Sequence, residues 1–349
     1  MHTIKSFRAS EIDRPLREAW RAIQDENPNM RHPLLCPEYT LAVAEVRDDV
    51  EIAVFYRESR PVGFFPYHRN QKNVANPIAE EVSDYHAIVI AADVSWDPEA
   101  VLRDLGLVAF NFHHLPVWQQ EFTPYQAFTD PAYCLDLSNG YEQYAADRKR
   151  SGTSIIAQLN RKKRKLEREI GELRFEYDCQ DPDVLVKLVQ WKRERILSQG
   201  FPNTFRHQWV NDFIKRLHQK KSETFSGVLS SLFAGDQLIA AHLGSSSKTV
   251  LSSWIPSHSP DFESYSPGAI LTLEIAKSAA GCGIERIDLG RGQNSLKTRL
   301  ASSCEMLSVG ELETRSLQRL VNGGVHRAKS LSHRFPILRS TIQSIRKRT

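Results

Sequence analysis

Phe225 to Leu300 reads FSGVLSSLFAGDQLIAAHLGSSSKTVLSSWIPSHSPDFESYSPGAILTLEIAKSAAGCGIERIDLGRGQNSLKTRL. Two apolar runs flank Ala234-Gly235-Asp236, the signal of a β-hairpin. A third β-rich run, Thr249 to Ile255, ends at Pro256. Ser266-Pro267-Gly268 then opens a helix-period segment from Ala269 to Ala280, which Gly281 and Gly283 stop. Glu285 to Leu289 reads as a further strand. The order is therefore three strands, a glycine-bearing turn, a helix and a strand. A loop entering a helix N-terminus collects free backbone N–H groups and the positive end of the helix dipole, which suits a phosphate.

Working outward, the first half repeats this order with different residues. Val50 to Tyr56 and Val62 to Tyr67 read as strands around the turn Arg57 to Arg60. Ala87 to Ala92 is a third strand, Asp97 to Leu105 a helix opened by Pro98, and Leu107 to Phe112 another strand. Two such units predict tandem copies of one α/β (α+β) fold, with mixed central sheets flanked by helices. Between them lie helical stretches at Tyr141 to Ile170 (with a break near Gly152), Val184 to Ser198 and Gln208 to Lys220. Arg174 to Tyr177 reads as a strand, and Pro131 to Gly140 as an extended link ending in a turn. The expected division is 1–139, 140–315 and a basic helical tail, 316–349.

A chain of 349 residues fits two domains, and 41% hydrophobic with 25% charged residues is a globular composition. No apolar run approaches the roughly 18–20 residues that span a bilayer. The N-terminus lacks the apolar core of a secretory signal. Cys36, Cys134, Cys179, Cys282 and Cys304 are scattered, against a disulfide framework or structural zinc site. These features predict a cytoplasmic protein. The net charge is +4, but basic residues concentrate after Glu313 and in Arg161-Lys162-Lys163-Arg164-Lys165. Such blocks are either solvated faces or attract an anionic surface, and the tail suggests peripheral contact with the inner face of the membrane. No aromatics interleave with the block, which disfavours nucleic acid, tRNA excepted.

The segments GDQLIAAHLG, SSWIPSHSPDFESYSPGAIL and IDLGRGQNSLK, in this order and spacing, resemble the CelD/BcsL-type acetyltransferases of cellulose and exopolysaccharide biosynthesis. These are FemAB-like proteins with tandem GNAT folds. Pro61 to Pro66 and Ser83-Asp84-Tyr85 extend the resemblance more weakly into the first half. It implies acyl transfer from acyl-CoA (acetyl-CoA), without a metal, to an amine or hydroxyl of a sugar, glycolipid or other cell-envelope precursor. Two alternatives stay open: a FemAB-like aminoacyl-tRNA-dependent ligase, and a non-catalytic GNAT-fold regulator or scaffold docked at the membrane. The sequence departs from the pattern twice. The pyrophosphate loop, usually Gln/Arg-x-x-Gly-x-Gly/Ala, is Tyr265-Ser266-Pro267-Gly268-Ala269, where Pro267 removes an N–H donor. Leu296-Lys297 replaces Tyr-Lys, so a phenol able to protonate the leaving thiolate is missing.

Acyl transfer needs a base, donors for the oxyanion and a stabilised leaving thiolate. His242, interrupting an apolar strand, is the candidate base; its alternative role is that of a core histidine. Asp288, at the end of the strand Ile284 to Leu289, is placed to orient it or to hold the acceptor. Trp254, Tyr265, Ser266, Gly268 and Ala269 are candidates for the cofactor. Asp84, Tyr85, Arg291 and Lys297 are candidates for the acceptor or its negative charge. His68, His86, His113 and His114 lie near strand ends. Adjacent strand residues point to opposite faces, so His113-His114 reads as no metal site.

Overall fold

The structure is a computed structural model that describes residues 3–200, 203–292 and 294–314. The expected basic tail, 316–349, lies outside the described residues. In chain order the elements are β1 (Thr3–Arg8), α1 (Arg14–Glu26), α2 (Pro37–Ala44), β2 (Val50–Arg57), β3 (Arg60–Arg69), β4 (Val74–Pro77) and β5 (Val89–Ile90). There follow α3 (Pro98–Asp104), β6 (Ala109–Pro116), β7 (Gln126–Asp136), α4 (Gly140–Arg150), α5 (Ile155–Glu169), β8 (Leu173–Glu176), α6 (Pro182–Ser198) and α7 (Gln208–Gln219). The last elements are β9 (Ser226–Ala234), β10 (Gln237–Ser246), β11 (Val250–His258), α8 (Pro267–Gly281), β12 (Arg286–Arg291), α9 (Ser295–Leu300) and β13 (Ser303–Glu313).

The described strands form one mixed sheet in the order β1-β2-β3-β4-β6-β13-β7-β12-β11-β10-β9-β8, with β5 paired to β3. This is the mixed α/β, tandem GNAT-like architecture expected. The β9–β10 hairpin turns at Gly235, whose φ of 56° is a left-handed conformation that glycine adopts freely. The helical stretch 141–170 breaks at Gly152, as its composition suggested, into α4 and α5. α8 packs on β9, β10 and β11 and is braced by α4 and α5; α6 and α7 pack on the same strands. One hydrophobic core joins first-half residues such as Trp20 and Phe64 to second-half residues such as Phe213 and Leu243. A second, built on Leu251, Ile270, Leu273 and Ile287, lies under α8.

Several expected elements differ. The run 87–92 pairs only at Val89–Ile90. The extended link is the second half of an 11-residue strand, β7, which lies between β13 and β12. The strands β1, β4 and β13 had no counterpart in the sequence reading. β11 does not stop at Pro256 but continues to His258. Proline is tolerated there because β11 has lost its β12 partner on one edge, so no ladder bond is forfeited. At α3, the Asp97 carboxylate caps the helix by accepting from the N–H groups of Glu99 and Ala100. Removing it in Asp97→Ala is expected to cost about 1 kcal/mol in a urea melt.

Candidate active site

The site begins where two strands part. β11 and β12 pair in parallel from Val250–Arg286 to Ser252–Asp288 and no further. Beyond that point β12 is held on its other side by β7. The gap opens into a cavity of about 430 Å³, lined by Ser253, Pro256 and His258 of β11, Gly268 and Ala269 of α8, and Leu289 and Lys297. Ser266, at the head of α8, also lines it. The crevice beside Gly268 is therefore open.

The α8 N-terminus offers fewer amides than a glycine-rich loop would. Ser266 is left-handed (φ 58°), and its carbonyl accepts from both Ala269 (3.0 Å) and Ile270 (3.1 Å). Pro267 has no N–H, which leaves Gly268 the first-turn donor with no partner among the described residues. A Cβ on Gly268 would sit 3.3 Å from His258 Nδ1, so glycine lets the His258 ring close against the loop. Cations supply what the amides do not. Lys162 Nζ donates to Ser266 Oγ (2.7 Å) and to the Ser264 carbonyl (3.1 Å). Arg195 and Arg299 join it on the cavity wall. The basic block is thus divided. Lys163 pairs with Glu274 and Lys165 lies over the Tyr265 ring, while Arg161 and Arg164 face solvent.

At the vertex Asp288 is buried, and its partner is His32. His32 Nε2 lies 3.1 Å from Asp288 Oδ2, and the Gly290 N–H donates to Oδ1 at 2.7 Å. The Leu34 N–H donates to His32 Nδ1 (3.3 Å), which assigns the ring proton to Nε2 and makes a neutral His32 the donor to Asp288. Burial pushes the Asp288 carboxyl up. The hydrogen bond from His32, the Gly290 amide and the charge of Arg286 outweigh it and leave the carboxyl below its ordinary value. Burial lowers His32, and Asp288 only partly offsets this. Tyr85 stacks on His32 with centroids 4.0 Å apart.

Asp84 and Lys297 meet over Gly290. A Cβ on Gly290 would find Asp84 Oδ2 at 3.5 Å and Lys297 Nζ at 3.8 Å. Lys297 Nζ donates to the carbonyls of Gly290 and Arg291, each at 3.1 Å. Burial, then the charge of Asp288, raises Asp84 to about 6, against the pull of Lys297, Lys192 and Arg291. Burial lowers the Lys297 ammonium, opposed by Asp84 and Asp288. A carboxyl raised to about 6 near an ammonium whose proton is held less tightly than usual is suited to proton transfer.

The other expected residues are placed as follows. His242 is fully buried in β10, opposite Pro256 and Ser230. Neither of its ring nitrogens has a hydrogen-bond partner among the described residues, and burial lowers it to about 4. Asp288, expected to orient His242, is instead hydrogen-bonded to His32. Trp254 packs against Phe213, and Tyr265 turns to α5, its hydroxyl donating to Glu169 at 2.8 Å; neither lines the cavity. Tyr85 is buried, and its hydroxyl donates to Glu305 at 2.9 Å. Arg291 lies 4.0 Å from Asp130. His113 and His114 do not face opposite ways. A bulge makes His114 the extra residue of β6, and the two Nδ1 atoms lie 2.8 Å apart. Asp49, His68 and Glu80 also cluster, but His68 Nε2 accepts the Ala79 N–H and Arg47 bonds both carboxylates, so they form a salt-bridge network. Sequence reading missed His32, Lys162, Arg195, His258 and Arg299 as site residues. Of these only Lys162 carried a signal, as part of the basic block.

Residues 153–298 match the family model described as an acetyltransferase (GNAT) domain. No curated protein matches the chain. Among solved structures, FemX shares 10% identity at a TM-score of 0.58, over 88% of this chain and 97% of its own. The C-terminal DUF2156 domain of a protein described as a lysylphosphatidylglycerol synthetase, from Agrobacterium fabrum, shares 14% identity at a TM-score of 0.54, over 88% and 94%. A tandem GNAT protein from the clavulanic acid biosynthesis pathway shares 7% at 0.53, over 90% and 99%. These likenesses establish the fold, and the matched segment contains Asp288, Gly268 and most of the cavity lining, with Arg299 and Leu300 just beyond its end.

Proposed function

We propose that the protein transfers an acyl group from acyl-CoA to an amine or hydroxyl of a sugar, glycolipid or related cell-envelope precursor, as in exopolysaccharide synthesis. The observation that carries this reading is the open cavity between the parted strands, with cations at its rim. In it, Lys162, Arg195 and Arg299 hold the CoA phosphates, beside the Gly268 N–H and the α8 dipole. The free edge of β11 beyond Ser252 offers backbone groups to pantetheine. The acceptor's nucleophile forms a bond to the thioester carbonyl carbon and gives its proton to Asp84. The C–S bond breaks, and the thiolate takes a proton from Lys297. Return of the proton from Asp84 to Lys297 resets the site. Asp288 and His32 are positioning residues that fix Gly290 and, through its carbonyl, Lys297.

Calorimetry with CoA tests the cofactor. Saturable binding is expected, weakened about 5- to 30-fold by Lys162→Ala, the scale of one charge-assisted contact. No heat at millimolar CoA removes the assignment. A second reading, aminoacyl-tRNA-dependent ligation, is favoured by the solvent-facing Arg161 and Arg164. It requires salt-sensitive tRNA binding that weakens when these two are neutralised. The scaffold reading depends on the tail, outside the described residues. Among the described residues, no helix is long and apolar enough to cross a membrane.

A further inference from the structure

Beyond Gly290, on the side of the first half, a group of polar side chains is buried without partners. His86 is 8% exposed, and neither ring nitrogen has a hydrogen-bond partner among the described residues. Arg291 Nη1 is buried with no acceptor in range, since Asp130 Oδ2 at 4.0 Å is too distant for a hydrogen bond. His113 stands beside His86, with ring centroids 5.2 Å apart, and His114 beside His113; the Arg291 charge acts on all three rings. The backbone that holds this group is strained. His114 has φ 76°, a region that a residue with a Cβ avoids, at the bulge of β6. The His86 N–H donates to the His114 carbonyl at 3.3 Å, tying the loop that carries Asp84 to this bulge.

We propose that His86, His113, His114 and Arg291 form an oxyanion-binding subsite that takes a phosphate or carboxylate group of the acceptor. The subsite rests on the acyltransfer reading only for its ligand being the acceptor. Donor geometry carries it. In the His113–His114 pair one Nδ1–H donates to the other Nδ1, so one ring presents an Nε2–H and the other an Nε2 lone pair. His86 adds a further N–H, and Arg291 adds the fork that matches an oxyanion. Burial, with the charge of Arg291, keeps all three imidazoles below their ordinary values and neutral, so the subsite holds one positive charge and two free imidazole N–H donors. Arg291 follows Gly290 directly, so an anion bound here places the rest of the acceptor beside Asp84 and Lys297. Buried polar groups left without partners are costly, and a ligand that satisfies them repays this on binding.

The probe is inorganic phosphate, with acetate as a second arm, added to the full chain carrying 15N-labelled histidine and no CoA. The expected result is saturable movement of the His86, His113 and His114 ring resonances by at least one anion, the stronger binder naming phosphate or carboxylate. Arg291→Gln should weaken this binding at least about tenfold, and Arg291→Lys less. His114→Gly gives the sharper signature: relief of the positive φ raises the melting temperature, while loss of the ring weakens anion binding. Unmoved rings in both arms overturn the proposal. So does tight zinc binding by these rings without any anion response, which would mark a metal centre. CoA affinity is measured in parallel. Its loss with anion binding retained removes the cofactor assignment and leaves the subsite; the reverse removes the subsite alone.

Discussion

Asp288→Asn is expected to lower turnover at least about 100-fold, although Asp288 is proposed to touch neither thioester nor nucleophile. The carboxylate accepts from two fixed donors, His32 Nε2 and the Gly290 N–H. An amide has one acceptor oxygen, so one of these donors must face the Asn NH2. His32 does not escape by changing tautomer, because its Nδ1 is taken by the Leu34 N–H. Leaving a buried donor unmatched costs about 1–3 kcal/mol, and release of Gly290 is the cheapest relief. Gly290 and Arg291 supply the two carbonyls that hold Lys297, so its ammonium moves with them. A displacement of about 1 Å in a reacting group is enough for the loss proposed. Steady-state rates and thermal melts on the same preparations check this. A lowered melting temperature with wild-type kcat would reduce Asp288 to a structural residue.

How much of this was legible in the sequence depends on the range of the interaction. Elements set by local pattern were readable: the hairpin at Gly235, the break at Gly152 and the start of α8 at Pro267 each follow from one or two residues. β13 was not. Its sequence, SCEMLSVGELE, mixes apolar and charged residues, and only pairing with β6 and β7, strands far earlier in the chain, makes it a strand. Pro256 was read as the end of β11, when it marks the edge freed by the parting of β11 and β12. Gly268, Ser266, Ala269 and Lys297 were found on the cavity because loop chemistry is local. His32 was invisible for the opposite reason: 256 residues separate it from Asp288, and no spacing rule joins them. The His113–His114 pair was misread through the period-two rule, which holds only where a strand has no bulge. Tandem pattern alone likewise gave no sign that one sheet runs through both halves.

Replacing His242 by leucine is expected to stabilise the protein, most of all in mild acid, and to leave turnover close to wild type. In the folded chain burial lowers the imidazole to about 4, whereas in the unfolded chain it titrates near 6.5. Between these values the unfolded state binds the extra proton, so stability falls as pH drops through that window and this group adds nothing further below about 4. A shift of this size corresponds to about 3 kcal/mol lost across the window, a large share of the roughly 5–15 kcal/mol that holds a typical domain together. His113, also lowered to about 4, acts in the same direction, and so do His86 and His114, which burial lowers as well. The wild type should therefore unfold well before pH 4, and His242→Leu should move the acid midpoint downward by removing one of these titrations. At neutral pH the variant also gains, because His242 buries two ring nitrogens without partners and leucine buries none. Acid titration followed by circular dichroism measures the midpoint, and an acyl-transfer assay at neutral pH separates the two roles open to His242. A loss of activity of at least about 100-fold with folding intact would restore it as the base and displace Asp84 from that role.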